Sequence, residues 1–290
     1  MAKATIAKPI KDLKKNGEKA VQEVKQAATS PLMDRLTRLG YAVKGFLYVA
    51  IGFIAIASAL GQSTTPADQL GAIVEFSKFP FAQVILWVIL LGLISYSLWG
   101  VIRAILDPFH KGTKLHGLLE RMGYLISAIT YATFVWPTYQ LIIGAREGTG
   151  ANATVEMVSQ VMNMPMGRLL VGGFGISAIL AGLYQIYAGL KPDFEQRFKP
   201  YTLTPEQITI ARRMGRFGTV ARGIVFSIAG GFLVLAAYQA NPGQARGFDG
   251  ALDFLADQPY GIWLLAIVAA GFIVFGLYSF IGAAWFKFKR

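Results

Sequence analysis

RLGYAVKG at residues 38–45, RMGYLISA at 121–128 and RFGTVARG at 216–223 are three versions of one phrase, and each opens a long apolar run. Seven positions past each arginine stands a small residue (Gly45, Ala128, Gly223), and ten past it an aromatic (Tyr48, Tyr131, Phe226). Between 42 and 44 positions past it comes a proline: Pro80, Pro165 and Pro259. Two places after each proline there is again a small residue (Ala82, Gly167, Gly261), and nineteen after it an aromatic (Trp99, Tyr184, Tyr278). Matches at so many fixed offsets are the signature of an internal repeat.

Each copy holds two apolar stretches of the length that crosses a bilayer, about 20 residues. They fall at 39–60 and 82–106, 122–143 and 166–190, 217–239 and 262–286. Before each proline, apolar residues at minus seven and minus four (Ile73 and Phe76, Val158 and Val161, Leu252 and Leu255) predict a short amphipathic helix at the bilayer surface. The proline suits the first turn of the helix that follows, where its missing N–H costs nothing. The expected fold class is therefore all-α: a polytopic membrane protein of six transmembrane helices arranged as three helical hairpins. Because each unit has two spans, successive units start from the same side, so the hairpins are parallel-related around an axis along the membrane normal. The expected organisation is an N-terminal arm at 1–33 and hairpin repeats at 34–107, 116–190 and 211–288.

Composition agrees with lipid as the solvent. Of 290 residues, 54% are hydrophobic and only 15% charged, against roughly 25% charged in soluble domains. The absence of cysteine excludes disulfides, thiolate metal sites and thiol nucleophiles. The net charge of +12 would suggest nucleic acid in a soluble protein, but here it is concentrated in particular flanks. Lys3, Lys8, Lys11, Lys14, Lys15, Lys19, Lys25, Arg35 and Arg38 precede the first span, and Lys191, Arg197, Lys199, Arg212, Arg213 and Arg216 lie between the fourth and fifth. The opposite loops carry Lys78, Arg146 and Arg246, one each. The positive-inside rule then places both termini in the cytoplasm, and anionic headgroups account for the charge without nucleic acid. The arm has Ile10, Leu13, Val21 and Val24 at near-helical spacing among its lysines, as in a helix lying on an anionic membrane or docking a partner.

The phrase Arg-x-Gly-x-x-x-[Lys/Arg]-Gly of residues 38–45 and 216–223, followed by Pro-x-Gly or Pro-x-Ala at the next span, resembles a bacterial membrane family catalogued as domain of unknown function 1206. The likeness covers about residues 34–288. The middle copy departs from it, with Ser127 and Ala128 in place of Lys-Gly or Arg-Gly. The resemblance implies the fold and a location in the bacterial inner (cytoplasmic) membrane; it implies no activity.

Candidate chemistry is sparse. The two histidines, His110 and His116, share one loop, and zinc would need at least one more ligand, which Asp107 or Glu120 suggests only weakly, so they read as surface histidines. No span has a carboxylate at its centre, which disfavours proton-coupled transport. Neither a catalytic constellation nor a metal or cofactor site is expected, so the chain reads as non-enzymatic. Lys44 and Arg222, six past their motif arginines, lie about two turns inside their spans. A charge there either snorkels to the interface or finds a partner. With Arg38, Arg121 and Arg216 the pair would ring a lipid headgroup or small anion, giving a candidate anion or lipid-headgroup site. Two functions follow. One is a scaffold or accessory subunit packed against anionic lipids or other membrane subunits. The other is a passive pore or small-solute carrier along the axis, lined by residues such as Ser58, Ser95, Ser127, Thr130, Ser177 and Ser227, unless these bond carbonyls of their own helices. Trp136-Pro137 predicts a kink in the third span.

Overall fold

The structure, a computed structural model, describes residues 31–63, 65–107, 112, 115–145, 153–191 and 203–285. The basic arm up to residue 30, His110 and the loop at 192–202, with Arg197 and Lys199, lie outside the described residues, as does the side chain of His116. Among the described residues there is no strand. The described residues form ten α-helices in order: α1 (Pro31–Ala59), α2 (Gln69–Ser77), α3 (Ala82–Leu106), α4 (Leu115–Thr133), α5 (Val135–Ile142), α6 (Ala153–Met162), α7 (Gly167–Leu190), α8 (Pro205–Gln239), α9 (Phe248–Ala256) and α10 (Gly261–Trp285). Five of them, α1, α3, α7, α8 and α10, are long and apolar enough to cross a membrane.

The third expected span is divided instead of continuous. It breaks at Phe134, between α4 and α5. Pro137 cannot donate to the carbonyl of Thr133, and the Phe134 N–H turns back to Tyr131 in a tighter turn of 3.3 Å. The Thr138 hydroxyl adds a bond to the carbonyl of Phe134 at 2.6 Å. The kink read from Trp136-Pro137 takes the form of this interruption.

The long helices form a closed ring. α1 packs on α3, α3 on α4, α4 on α7, α7 on α8, α8 on α10, and α10 back on α1. The contact of α4 with α7 is the thinnest of the six, and those of α7 with α8 and of α10 with α1 are the most extensive. At these two the backbones touch through glycine pairs. A Cβ on Gly223 would stand 2.7 Å from the carbonyl of Gly182, and one on Gly276 2.6 Å from that of Gly45. Small residues allow this approach, and in lipid it is packing, more than hydrophobicity, that holds helices together. The small residue seven past each motif arginine is thus a contact point between neighbouring copies: Gly45 on α10, Gly223 on α7, and Ala128 against Gly100 of α3.

The short helices α2, α6 and α9 precede the three prolines, which occupy the turn itself, two residues ahead of α3, α7 and α10. The residue after each proline is left-handed: Phe81 (φ 61), Met166 (φ 60) and Tyr260 (φ 63). All three side chains are highly exposed. This turn folds the chain back so tightly that a Cβ on Gly167 or Gly261 would collide with the carbonyl of Val161 or Ala256. Hence the small residue two past the proline.

The outward faces carry exposed Phe53, Trp87, Leu91, Leu98, Leu180 and Leu183, as expected where helices meet lipid. Inside, Leu47, Ile51, Ile73, Val225 and Phe272 are fully buried. Phe248, the first residue of α9, inserts into this interior. It stacks on Phe272 with centroids 5.1 Å apart and meets Phe226 and Tyr48 edge-on. The bundle is therefore plugged by packed rings toward the end where the prolines lie.

Candidate functional site

The motif arginines do one job three times. Arg121 donates through Nε and Nη2 to the carbonyls of Ala104 and Ile105, at 2.7 and 3.1 Å. Arg216 donates to Gly189 and Leu190 at 2.8 and 2.9 Å. Arg38 donates through Nη1 to Ala283 and Ala284 at 2.6 and 2.9 Å, and its Nε pairs with Asp34. In every case the acceptors lie 24 and 25 positions past the proline of the copy next to it in the ring. The last carbonyls of a helix have no intrahelical donor and carry partial negative charge, so a guanidinium there is a cap. The three arginines tie each copy to its neighbour, and Arg38 closes the ring.

The opposite end has a partial counterpart. Arg168, three past Pro165, donates to the carbonyls of Ala237 and Tyr238, and Gln83, three past Pro80, to Ile142. Ile262 stands at the third such position.

Lys44 and Arg222 lie elsewhere, buried on the inward faces of α1 and α8 with 5% and 7% of their surface exposed. Lys44 Nζ donates to the Tyr96 hydroxyl at 2.9 Å. Arg222 Nη2 donates to the Ser127 hydroxyl at 3.0 Å. Ser127 is the residue that replaces the cation in the middle copy, so the three residues six past the motif arginines converge on one interior. Both cations press on the ring of Phe275, with Nζ of Lys44 4.7 Å and Cζ of Arg222 5.5 Å from its centroid. Lys44 also lies 4.9 Å from the Tyr96 centroid and Arg222 4.8 Å from that of Phe226. Cation–π contacts of this kind are worth up to about 2 kcal/mol when desolvated, yet they leave the charge itself unneutralised. Among the described residues neither Lys44 nor Arg222 is paired with a carboxylate.

Tyr48 and Tyr131, four positions past Lys44 and Ser127, stand beside Arg222. The Nε of Arg222 and the hydroxyls of Tyr48 and Tyr131 are buried without reaching hydrogen-bond geometry to any described residue. Buried polar groups are nearly always satisfied. Three donors converging on one interior are therefore informative.

Of the serines and threonines expected along the axis, only Ser127 joins this cluster. Ser95, Thr130, Ser177 and Ser227 bond carbonyls four residues back in their own helices, and Ser58 is exposed. One member of the interior was not anticipated. Arg103 of α3, 3% exposed, donates to the Tyr41 hydroxyl at 3.2 Å and lies over the Tyr124 ring at 4.4 Å. It has no counterpart in the other copies, where Ala188 and Gly282 stand. Its signal was being the single charge in the stretch 82–106. The Tyr184 hydroxyl donates to Glu120 at 2.8 Å, bridging α7 and α4 where that contact is thinnest.

These features define a class: a multi-pass, all-helical membrane protein built from tandem repeats, with cations inside the bundle. Residues 39–107, 122–191 and 217–285 each match the family described as Domain of Unknown Function (DUF1206), and the chain belongs to that family. It is 34% identical over 262 residues to "Uncharacterized protein YxxB" of Bacillus subtilis (strain 168), covering 90% of this chain and 94% of the relative. No solved structure matches.

Proposed function

We propose that this is a non-enzymatic, six-span protein of the bacterial cytoplasmic membrane, and that it serves as a passive carrier or pore for a small anionic solute along the bundle axis. The sixth span is α4 continued by α5 across the break at Phe134. The hairpins α1–α3, α4–α7 and α8–α10 are related by an approximate threefold axis along the membrane normal. This arrangement is supported by the closed ring of contacts and by the three equivalent arginine caps. The Lys/Arg asymmetry puts the motif arginines, both termini and the open side of the cation cluster toward the cytoplasm, with Phe248 and its ring stack toward the outside.

The observation that carries the reading is the position of Lys44 and Arg222. They point into the bundle, beside Phe275 and Ser127, instead of outward to lipid phosphates. A scaffold would not need cations there. Reconstituted into vesicles, the protein should release trapped anions faster than it releases potassium under a clamped potential. Equal leakage of both, or none above empty vesicles, removes the carrier reading. An impermeant thiol reagent added to intact cells should label Cys introduced at Gly243 and not at Lys199; the reverse would invert the topology.

The second reading, an accessory subunit that packs against other membrane proteins or anionic lipid, draws on α7. Only 28% of its span is buried, against 44–56% in the other four. Mild-detergent purification followed by mass spectrometry tests it: a stoichiometric companion subunit supports this reading, and a lone chain argues for the first.

A further inference from the structure

We infer that Lys44, Arg222, Tyr48 and Tyr131 form an enclosed binding site for one small, fully ionised anion, of the size of a halide or a compact inorganic oxyanion. The inference deepens the carrier reading but does not need transport, since a site of this kind binds whether or not the anion passes through.

Charge is the first argument. Arginine stays protonated in proteins, and Arg222 is buried among Tyr48, Ser127, Phe226 and Phe275 with no carboxylate paired to it. Lys44 faces the same Phe275 ring, so two like charges share one enclosure. Truncated or unbalanced charges in a low-dielectric interior are costly, and an anion between them removes that cost.

Hydrogen bonding is the second. The groups left over are Arg222 Nε and the hydroxyls of Tyr48 and Tyr131. A hydroxyl can accept as well as donate, but Arg222 Nε and Lys44 Nζ only donate. A guest rich in acceptors is therefore suited best.

Size is the third. Leu47, Ile51 and Phe272, on the same helices as Lys44 and Phe275, are fully buried, and Phe248 stacks on Phe272. The cations lie on inward helix faces joined by close glycine contacts at Gly45–Gly276 and Gly182–Gly223. A phospholipid headgroup tethered to two chains in the bilayer would have to part those helices to enter. The same phosphate chemistry on a free ion would not.

The test uses the full-length protein in a neutral detergent, followed by thermal unfolding at constant ionic strength with gluconate as the bulky reference. Replacing gluconate by chloride, nitrate, sulfate or phosphate should raise Tm saturably by about 5 °C for at least one of them. Lys44→Met with Arg222→Met should abolish the response. Tyr48→Phe, which keeps the ring, should weaken apparent affinity about tenfold, and Lys44→Arg should keep the response. Arg216→Gln at the helix end should lower the starting Tm yet leave the anion shift intact. If the double variant does not fold, Tyr48→Phe and Tyr131→Phe decide the matter alone. A shift produced by phosphatidylglycerol micelles and by no inorganic ion would transfer the site to lipid and overturn the inference. So would the absence of any shift, or a tyrosinate absorption band at neutral pH that is lost in Tyr96→Phe, since the charge would then be balanced from within. Intact anion shifts with no vesicle flux would sink the carrier reading and leave this site standing.

Discussion

Two layers of the bundle, six residues apart on the same three helices, behave in opposite ways. At the helix ends, Arg38, Arg121 and Arg216 are one residue type making one set of bonds in all three copies. Two turns deeper, the equivalent positions are Lys44, Ser127 and Arg222, three different residues, the first bonded to Tyr96 and the other two to each other. A repeat that keeps its geometry has to keep its clamps, because each copy sees the same neighbour. It is free to diverge where side chains from all copies meet at the axis, because there one object is shared and each copy contributes a different part of it. Divergence inside a symmetric frame therefore marks the chemistry, and uniformity marks the architecture.

The largest effect that would test this contrast is mechanical. Gly223→Leu drives a side chain into the carbonyl of Gly182, already 2.7 Å from where a Cβ would stand, and should destabilise the protein by about 3 kcal/mol, read as a fall in Tm in detergent. Next come the clamps. Arg121→Met and Arg216→Met each remove two charge-assisted bonds to helix-end carbonyls and should each cost about 1–2 kcal/mol. Markedly unequal losses would break the claim that the end layer is uniform. The inner layer should respond the other way. Lys44→Met, measured in gluconate, should leave stability unchanged or raise it by about 1 kcal/mol, because a buried cation lacking a carboxylate is replaced by an apolar side chain of similar length. A loss as large as that at the clamps would make Lys44 architectural.

A further effect lies outside the spans. Asp68 caps α2, accepting from the N–H of Gly71 at 2.7 Å. Burial, and then Asp249 nearby, push its carboxyl up to about 7. A carboxyl raised above its unfolded value, about 3.9, favours the folded state below that value, and the advantage is lost as pH rises toward about 7. Stability should thus decline from pH 4 to pH 7, and Asp68→Asn, which keeps the cap, should flatten that slope. A slope unchanged in the variant would assign the pH dependence to other groups.

Much of this was legible in residue spacing. The repeat, the membrane helices, the short helices before Pro80, Pro165 and Pro259, and the singular position of Lys44 and Arg222 all follow from apolar periodicity and fixed offsets. What the arginines bind did not follow. Their acceptors are backbone carbonyls at 104, 189 and 283, and a carbonyl leaves no trace in side-chain chemistry, so Arg38, Arg121 and Arg216 read as free cations available to the same anion as Lys44. Arg103 escaped notice for the converse reason: it has no partner copy, and the repeat is what drew attention to the other charges. The break at Phe134 was half visible, since Pro137 announces a lost hydrogen bond while its neighbours decide how far the helix parts.

The contact that closes the ring also sets a schedule. Arg38 is held by carbonyls 245 and 246 residues further along the chain, and Lys44, six residues on, rests against Phe275. Of the long helices described, the first made on the ribosome is thus the one whose clamp and whose aromatic wall are made after the others. Through most of translation α1 must wait in the bilayer with its lysine facing no finished interior. A nascent chain halted before α10 should therefore leave α1 reactive at its inward face and recognisable to the cell's membrane quality control, and completion of α10 is the event that hides it.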